Sequence, residues 1–195
     1  MTIQLLIINN HDSFTYNLVE LIRAQDIYYQ VVNIEDLDLN SVDAFTHILI
    51  SPGPDVPSAY PKLFVLLEHY YQKKSILGIC LGHQTLCQFF GAQLYNLKKV
   101  RHGQRRRVKV INKGLLFSEL PKSFFIGLYH SWAVSKKLFP EKQLKVVAYC
   151  DEEIIMAVEH QSLPIYGIQF HPESYMSEHG HKIISKWLSI ENENQ

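Results

Sequence analysis

The sequence predicts an α/β fold on a mostly parallel sheet, and three observations carry that expectation. Short, continuous apolar runs alternate with segments of helical periodicity through the first half of the chain. Those runs lack the in-out alternation of a sheet with one wet face, so both of their faces should be covered. Turn-forming residues then follow the runs directly, as SPGP follows HILI and LGH follows SILGIC. Right-handed crossovers lay helices on both faces of such a sheet, and chemistry gathers at the carboxyl ends of its strands.

Gln4 to Asn9 is the first buried-type run. After it, Asp12 and Ser13 are suitable helix caps for a segment in which Phe14, Leu18, Leu21 and Ile22 recur at helical spacing. Tyr28 to Ile34 and His47 to Ser51 read as the next two strands. Leu63, Phe64, Leu66, Leu67, Tyr70 and Tyr71 mark one face of a helix, SILGIC (75 to 80) is the fourth strand, and His83 to Phe90 the helix after it. Beyond that point the strand-like runs Arg106 to Ile111, Phe124 to Tyr129, Leu144 to Cys150, Ile154 to His160 and Ile165 to Phe170 are separated by short breaks. They predict mostly antiparallel additions, closed by a helix carrying Ile183, Ile184, Trp187 and Leu188.

No repeat or Gly/Ser linker divides the 195 residues, so one domain over 1–195 is expected, with a frayed tail at 191–195. Nineteen basic residues balance nineteen acidic ones, which argues against a general attraction to nucleic acid or membrane. No apolar stretch approaches the roughly 20 residues a membrane span needs, and MTIQLLIINNHDS lacks the features of a signal peptide, so the cytoplasm is expected. Cys80, Cys87 and Cys150 are an odd number without a CxxC pair, which predicts reduced thiols and no zinc ribbon; no metal is expected.

Chemistry could sit in three places. Cys80, between a strand and a helix with Gly78 and Gly82 flanking it, fits a nucleophile elbow, where the unpaired N–H groups of a helix start favour negative charge. The plainer reading is a buried core cysteine. In QFHPES (169 to 174) the strand ends at His171, Pro172 forbids its continuation, and Glu173 could orient the imidazole; a solvent-facing loop histidine is the alternative. A zinc-deaminase reading of that HxE lacks its PCxxC. In SPGPDVP (51 to 57), Gly53 could present its N–H to a ligand, or the segment is a plain strand-ending turn. All three lie where a parallel sheet brings its carboxyl ends together.

The set NNHDSFTYNL (9 to 18), SPGP (51 to 54), GICLGHQ (78 to 84), HG (102 and 103), YHS (129 to 131) and QFHPES resembles the class I, or triad, glutamine amidotransferases, over Leu5 to about Leu188. Within them it is most similar to the small subunits, component II, of anthranilate and aminodeoxychorismate synthases. The resemblance implies a flavodoxin-like α/β sheet with a smaller antiparallel sheet. It implies Cys80 as nucleophile, His171 as its base, Glu173 as the orienter of His171, and the N–H groups of Gly53 and Leu81 as oxyanion hole. It places L-glutamine against Gly53, Pro54, Asp55, Gln84, Ser131 and Trp132. It further implies ammonia transfer to a separate large, chorismate-binding synthase subunit, component I, with no cofactor in this chain and magnesium on the partner.

Five positions depart from the family pattern. NNHDSF stands where DNYDSF is usual, Asp55 where Gly or Cys is, Gln104 where a Lys commonly follows HG, and Trp132 where Leu follows YHS. Gln104 lies in KKVRHGQRRRVK (98 to 109), a basic run that reads as a solvated strand face or as a dock for an acidic partner. Two rival functions are a γ-glutamyl thiol hydrolase of similar fold and a regulatory subunit without turnover. The first leaves DSFTYNL and HG unexplained, and intact Cys80, His171 and Glu173 argue against the second.

Overall fold

A computed structural model describes residues 2–112 and 114–190; the tail expected to fray lies outside them. The first run forms β1 (Gln4–Asn9), and its side chains go alternately to two cores, because successive residues of a strand point to opposite faces. Leu5 and Ile7 join a cluster containing Leu18, Ile22, Ile183 and Trp187, whereas Leu6 and Ile8 join one containing Leu63, Leu67, Leu86 and Phe90. Helices α1 (Thr15–Arg23) and α4 (Gly180–Ser189) therefore cover one face, and α2 (Pro61–Tyr70) and α3 (Leu81–Phe89) the other.

Strands β2 (Tyr28–Asn33), β3 (His47–Ile50), β4 (Ser75–Ile79), β5 (Leu94–Val110), β6 (Ser123–Val134), β7 (Leu144–Cys150), β8 (Ile155–His160) and β9 (Ile165–Ile168) complete one nine-stranded sheet. Its order is β2-β1-β3-β4-β9-β8-β7-β5-β6. The first five are parallel, in the doubly wound order of flavodoxin-like folds. From β9 onward the pairs are antiparallel, so the antiparallel part continues the same sheet through β9–β8.

Several local expectations change. Phe14, not Asp12 or Ser13, occupies the cap position of α1; the Asp12 carboxylate instead accepts the Phe14 N–H at 2.7 Å, a turn that precedes the helix. β2 is an edge strand with no fully buried residue. β5 begins twelve residues before Arg106, at Leu94, pairing with β6 on either side of a register break between Asn96 and Arg101, and most of its side chains there are exposed. β6 likewise runs past Tyr129, with His130 and Trp132 paired to β5 and Ser131 at the register break between them.

Two glycines let α3 sit hard against β3 and β4. A Cβ on Gly82 would lie 2.3 Å from the Ile50 carbonyl oxygen, and one on Gly78 2.4 Å from the Gly82 carbonyl carbon. Both obstacles are backbone, so neither can rotate away. Gly82→Ala should cost about 3 kcal/mol, at the upper end of overpacking penalties. A denaturant midpoint within about 0.5 kcal/mol of wild type, on the ordinary scale of surface substitutions, would show that the helix is not seated this closely.

Candidate active site

The close seating of α3 forces a sharp turn between β4 and α3, and Cys80 is that turn. It has φ 52° and ψ −101°, a conformation that costs an L-residue energy and persists because the flanking elements over-determine it. The Cys80 N–H donates to the Ile168 carbonyl at 2.8 Å and its carbonyl accepts from Gln84 N–H at 3.0 Å, so the backbone is held on both sides. All three cysteines are free and buried.

His171 follows β9, the neighbour of β4, and is 2 % exposed. Its Nδ1 is 2.7 Å from Glu173 Oε1, and the Glu173 side chain is wholly buried. The rings of Phe14 and Tyr129 pack against the imidazole edge-to-face at centroid distances of 5.5 and 5.0 Å. Phe14 gives the DSF segment its structural purpose here. The following loop is pinned by His171 N–H to Gly127 carbonyl (3.2 Å), by Ser177 Oγ to the His171 carbonyl (2.5 Å), and by the approach of Gly180 to Pro172.

Burial alone would discharge His171. The Cys80 sulfur, as acceptor and as negative charge, and then Glu173 outweigh it and hold the imidazole well above its usual 6.5. Nε2, the ring nitrogen turned away from Glu173, has no partner within full hydrogen-bonding geometry.

The third segment arrives from β3. Asn10 and Ser51 lock the ends of β1 and β3 together: Asn10 N–H donates to Ser51 Oγ at 3.0 Å and Asn10 Nδ2 to the Ser51 carbonyl at 2.9 Å. The next residue but one, Gly53, is so close to Leu81 that a Cβ would lie 2.5 Å from Leu81 Cδ2. Leu81, first in α3, has no intrahelical acceptor for its N–H. Pro54 and Asp55 follow at the exposed rim; Asp55 adopts φ 69°, which aspartate tolerates better than most residues, and its Oδ1 accepts the Val56 N–H at 2.9 Å.

Gln84, one turn beyond Cys80, is 3 % exposed and donates from Nε2 to the Trp132 carbonyl at 2.9 Å and to Gln169 Oε1 at 3.1 Å. That places Gln84 beside the stretch of β6 holding Ser131 and Trp132. The motifs by themselves give Gln169 no role; its signal is a polar side chain inside the otherwise apolar run IYGIQF. Asn10 goes unassigned likewise. Among the described residues, no group of three or more His, Cys, Asp or Glu side chains is placed to hold a metal ion, and no helix is long and apolar enough to cross a membrane.

The chain matches the family model for class-I glutamine amidotransferases over residues 6–190. It belongs to that family. A Haemophilus influenzae protein provisionally named anthranilate synthase component II is 62 % identical over 187 residues, 96 % of each chain. An aminodeoxychorismate synthase component 2 from Serratia marcescens is 34 % identical over 191 residues, 95 % of this chain and 99 % of that one. Among solved structures, a Thermoplasma acidophilum protein provisionally described as a subunit of GMP synthase superposes with TM-score 0.86 at 21 % identity, covering 96 % of this chain and 93 % of that one, a likeness of fold.

Within this class-I amidotransferase, the departures at Asn9 and Gln104 have local physical reasons. Asn9 Nδ2 donates to Asn33 Oδ1 at 2.9 Å, which a carboxylate could not do. Gln104 Oε1 accepts from both Arg101 Nη1 (3.2 Å) and Arg106 Nη2 (2.9 Å), where a lysine would add a third cation. Glu152 pairs with the same two arginines, and Glu178 with Arg105, so much of the basic run is neutralised within the chain.

Proposed function

We propose that this amidotransferase is the glutaminase subunit of a chorismate-aminating synthase, hydrolysing L-glutamine at Cys80 and delivering ammonia to a separate large subunit. The observation that carries this reading is the strained Cys80 at the head of α3, facing an imidazole that Glu173 grips at 2.7 Å. The names of the relatives support the partner and the aminated product. The 62 % relative favours anthranilate as that product over aminodeoxychorismate.

The chemistry then runs as follows. The Cys80 thiolate attacks the carboxamide carbon of glutamine, and the N–H groups of Gly53 and Leu81 meet the oxyanion that forms. An amide nitrogen is a poor leaving group, so the proton on His171 passes to it as the C–N bond breaks, releasing ammonia and leaving a glutamyl thioester. His171 then takes a proton from water, hydroxide adds to the thioester, and glutamate departs as the thiol is restored. Each oxyanion donor can account for about 3 kcal/mol of barrier lowering. Gly53, Pro54, Asp55, Gln84, Ser131 and Trp132 form the glutamine pocket, with the chain itself carrying no cofactor and magnesium expected on the partner.

A glutamine-mimicking electrophile tests the assignment of the thiol. Peptide mass analysis should find the adduct on Cys80, with glutamine protecting it. Preferential labelling of Cys87 or Cys150 would mean that the wrong thiol has been chosen.

A further inference from the structure

The Cys80 sulfur has a second polar neighbour, one the reaction scheme leaves idle. Gln169, fully buried, lies between Gln84 and Cys80: its Nε2 is 3.6 Å from Sγ and its Oε1 is 3.1 Å from Gln84 Nε2. Which end of each carboxamide faces which neighbour follows from donor and acceptor chemistry. The Trp132 carbonyl can only accept, and it lies 2.9 Å from Gln84 Nε2 and 2.7 Å from His130 Nδ1. Gln84 must therefore turn its NH2 towards that carbonyl, and the second hydrogen of the same NH2 goes to the oxygen of Gln169. That leaves the NH2 of Gln169 towards the sulfur. Reversed, Gln169 would set NH2 against NH2 and an oxygen against a thiolate. One backbone carbonyl of β6 thus orients two carboxamides in series, ending in a donor on the nucleophile.

We propose that Gln169 is a positioning residue for the Cys80 thiolate: its N–H holds the sulfur in one orientation and favours its charged form before attack. A donor to a charged acceptor is stronger than one to a neutral acceptor, and in a buried site water does not replace it. Gln169 transfers no proton and forms no bond; it acts only on the readiness of the sulfur. Because Gln84 is also proposed to touch glutamine, occupancy of the pocket and readiness of the thiolate are linked through two hydrogen bonds. That link rests on the glutaminase reading, whereas the donor-to-sulfur contact does not.

The pH dependence of Cys80 alkylation by iodoacetamide, with the adduct located by peptide mass, separates this role from a packing role. The titratable group that acts on the thiol is His171, backed by Glu173 and with His130 beside it, and every variant keeps all three. Gln169→Met, similar in volume but without a donor, should raise the midpoint of the alkylation curve by about one pH unit and slow alkylation at neutral pH about tenfold. Glutamine turnover should fall roughly tenfold to hundredfold in kcat with a smaller change in KM. Gln84→Met, which leaves Gln169 in place but frees its amide to reverse, should shift the midpoint by less and gives an independent reading if Gln169→Met fails to fold. A packing role would lower the unfolding midpoint and leave the alkylation midpoint where it is; that result in either folded variant overturns the proposal. Alkylation requires no turnover, so a shifted midpoint in a protein that never hydrolyses glutamine would sink the glutaminase reading and leave this one standing.

Discussion

Replacing Cys80 by Ala should lower glutamine-dependent amination of chorismate by about 10⁴-fold or more while leaving ammonia-dependent amination by the complex near wild type. The size follows from what is removed. In the proposed mechanism, without the sulfur water must attack the carboxamide directly, and only binding and the two proposed oxyanion donors remain; nucleophile deletions in comparable hydrolases cost on that order. The retained ammonia reaction follows from the proposed division of labour, in which the amination site belongs to the partner. Cys80 is buried, but its turn is held through its backbone and Ala removes only the sulfur atom, so the fold should stay intact. The measurement is product formation by the assembled complex with glutamine or with ammonium as nitrogen source. Equal glutamine-dependent rates for variant and wild type would remove Cys80 from the mechanism. Loss of both reactions together would instead point to failed assembly.

The second large effect is on stability in acid. His47, His83 and His130 are buried, and burial pushes them down to about 4, about 3 and about 4. His83 is lowered further by the nearby charge of His130, and His130, despite a hydrogen bond to the Trp132 carbonyl, by those of His171 and Arg101. In the unfolded chain each would protonate near 6.5. Their folded values are depressed, so the stability they represent is complete above about 6.5 and is lost as the pH falls towards 4. Three protons taken up only by the unfolded chain correspond to a slope of about 4 kcal/mol per pH unit at most. From about 6.5 down to about 4 that amounts to about 10 kcal/mol at most, against the roughly 5–15 kcal/mol an ordinary domain has in total, so most of the stability should be lost by about pH 4. His171 behaves oppositely: its folded value is raised, its contribution is fully present below about 6.5, and it fades only as the pH rises through that raised value. It therefore does not offset the acid slope. Circular dichroism against pH, with His47→Phe and His83→Gln as single variants, measures the effect. Each folded variant should move the acid midpoint downward, and an acid midpoint unmoved in both folded variants would refute the account.

How much of this was legible beforehand differs along the chain. β1, β3 and β4 could be read because strands buried on both faces are continuously apolar, as LLII, HILI and SILGI are. The first half of β5 could not, because a strand whose side chains are mostly exposed has no apolar pattern to read. The two glycines around Cys80 were visible as spacing, but their obstacles, Ile50 on β3 and the backbone of α3 itself, are contacts that only packing reveals. Phe14 read as an ordinary helix-face residue and proved to be a wall of the His171 site.

By itself the sequence determined the chemical inventory and its punctuation: a thiol between two glycines, a histidine stopped by a proline with a carboxylate two residues on, and a Gly-Pro turn after a buried strand. Those features are local, and covalent spacing places them at strand ends. Tertiary structure alone decided that β9 returns from far along the chain to lie parallel beside β4, Ile165 against Ile76, which is what sets His171 against Cys80. It also decided the polarity of the Gln84–Gln169 pair. A carboxamide has two nearly equivalent ends, and only the neighbour that can do nothing but accept, the Trp132 carbonyl on a strand from another part of the chain, chooses between them.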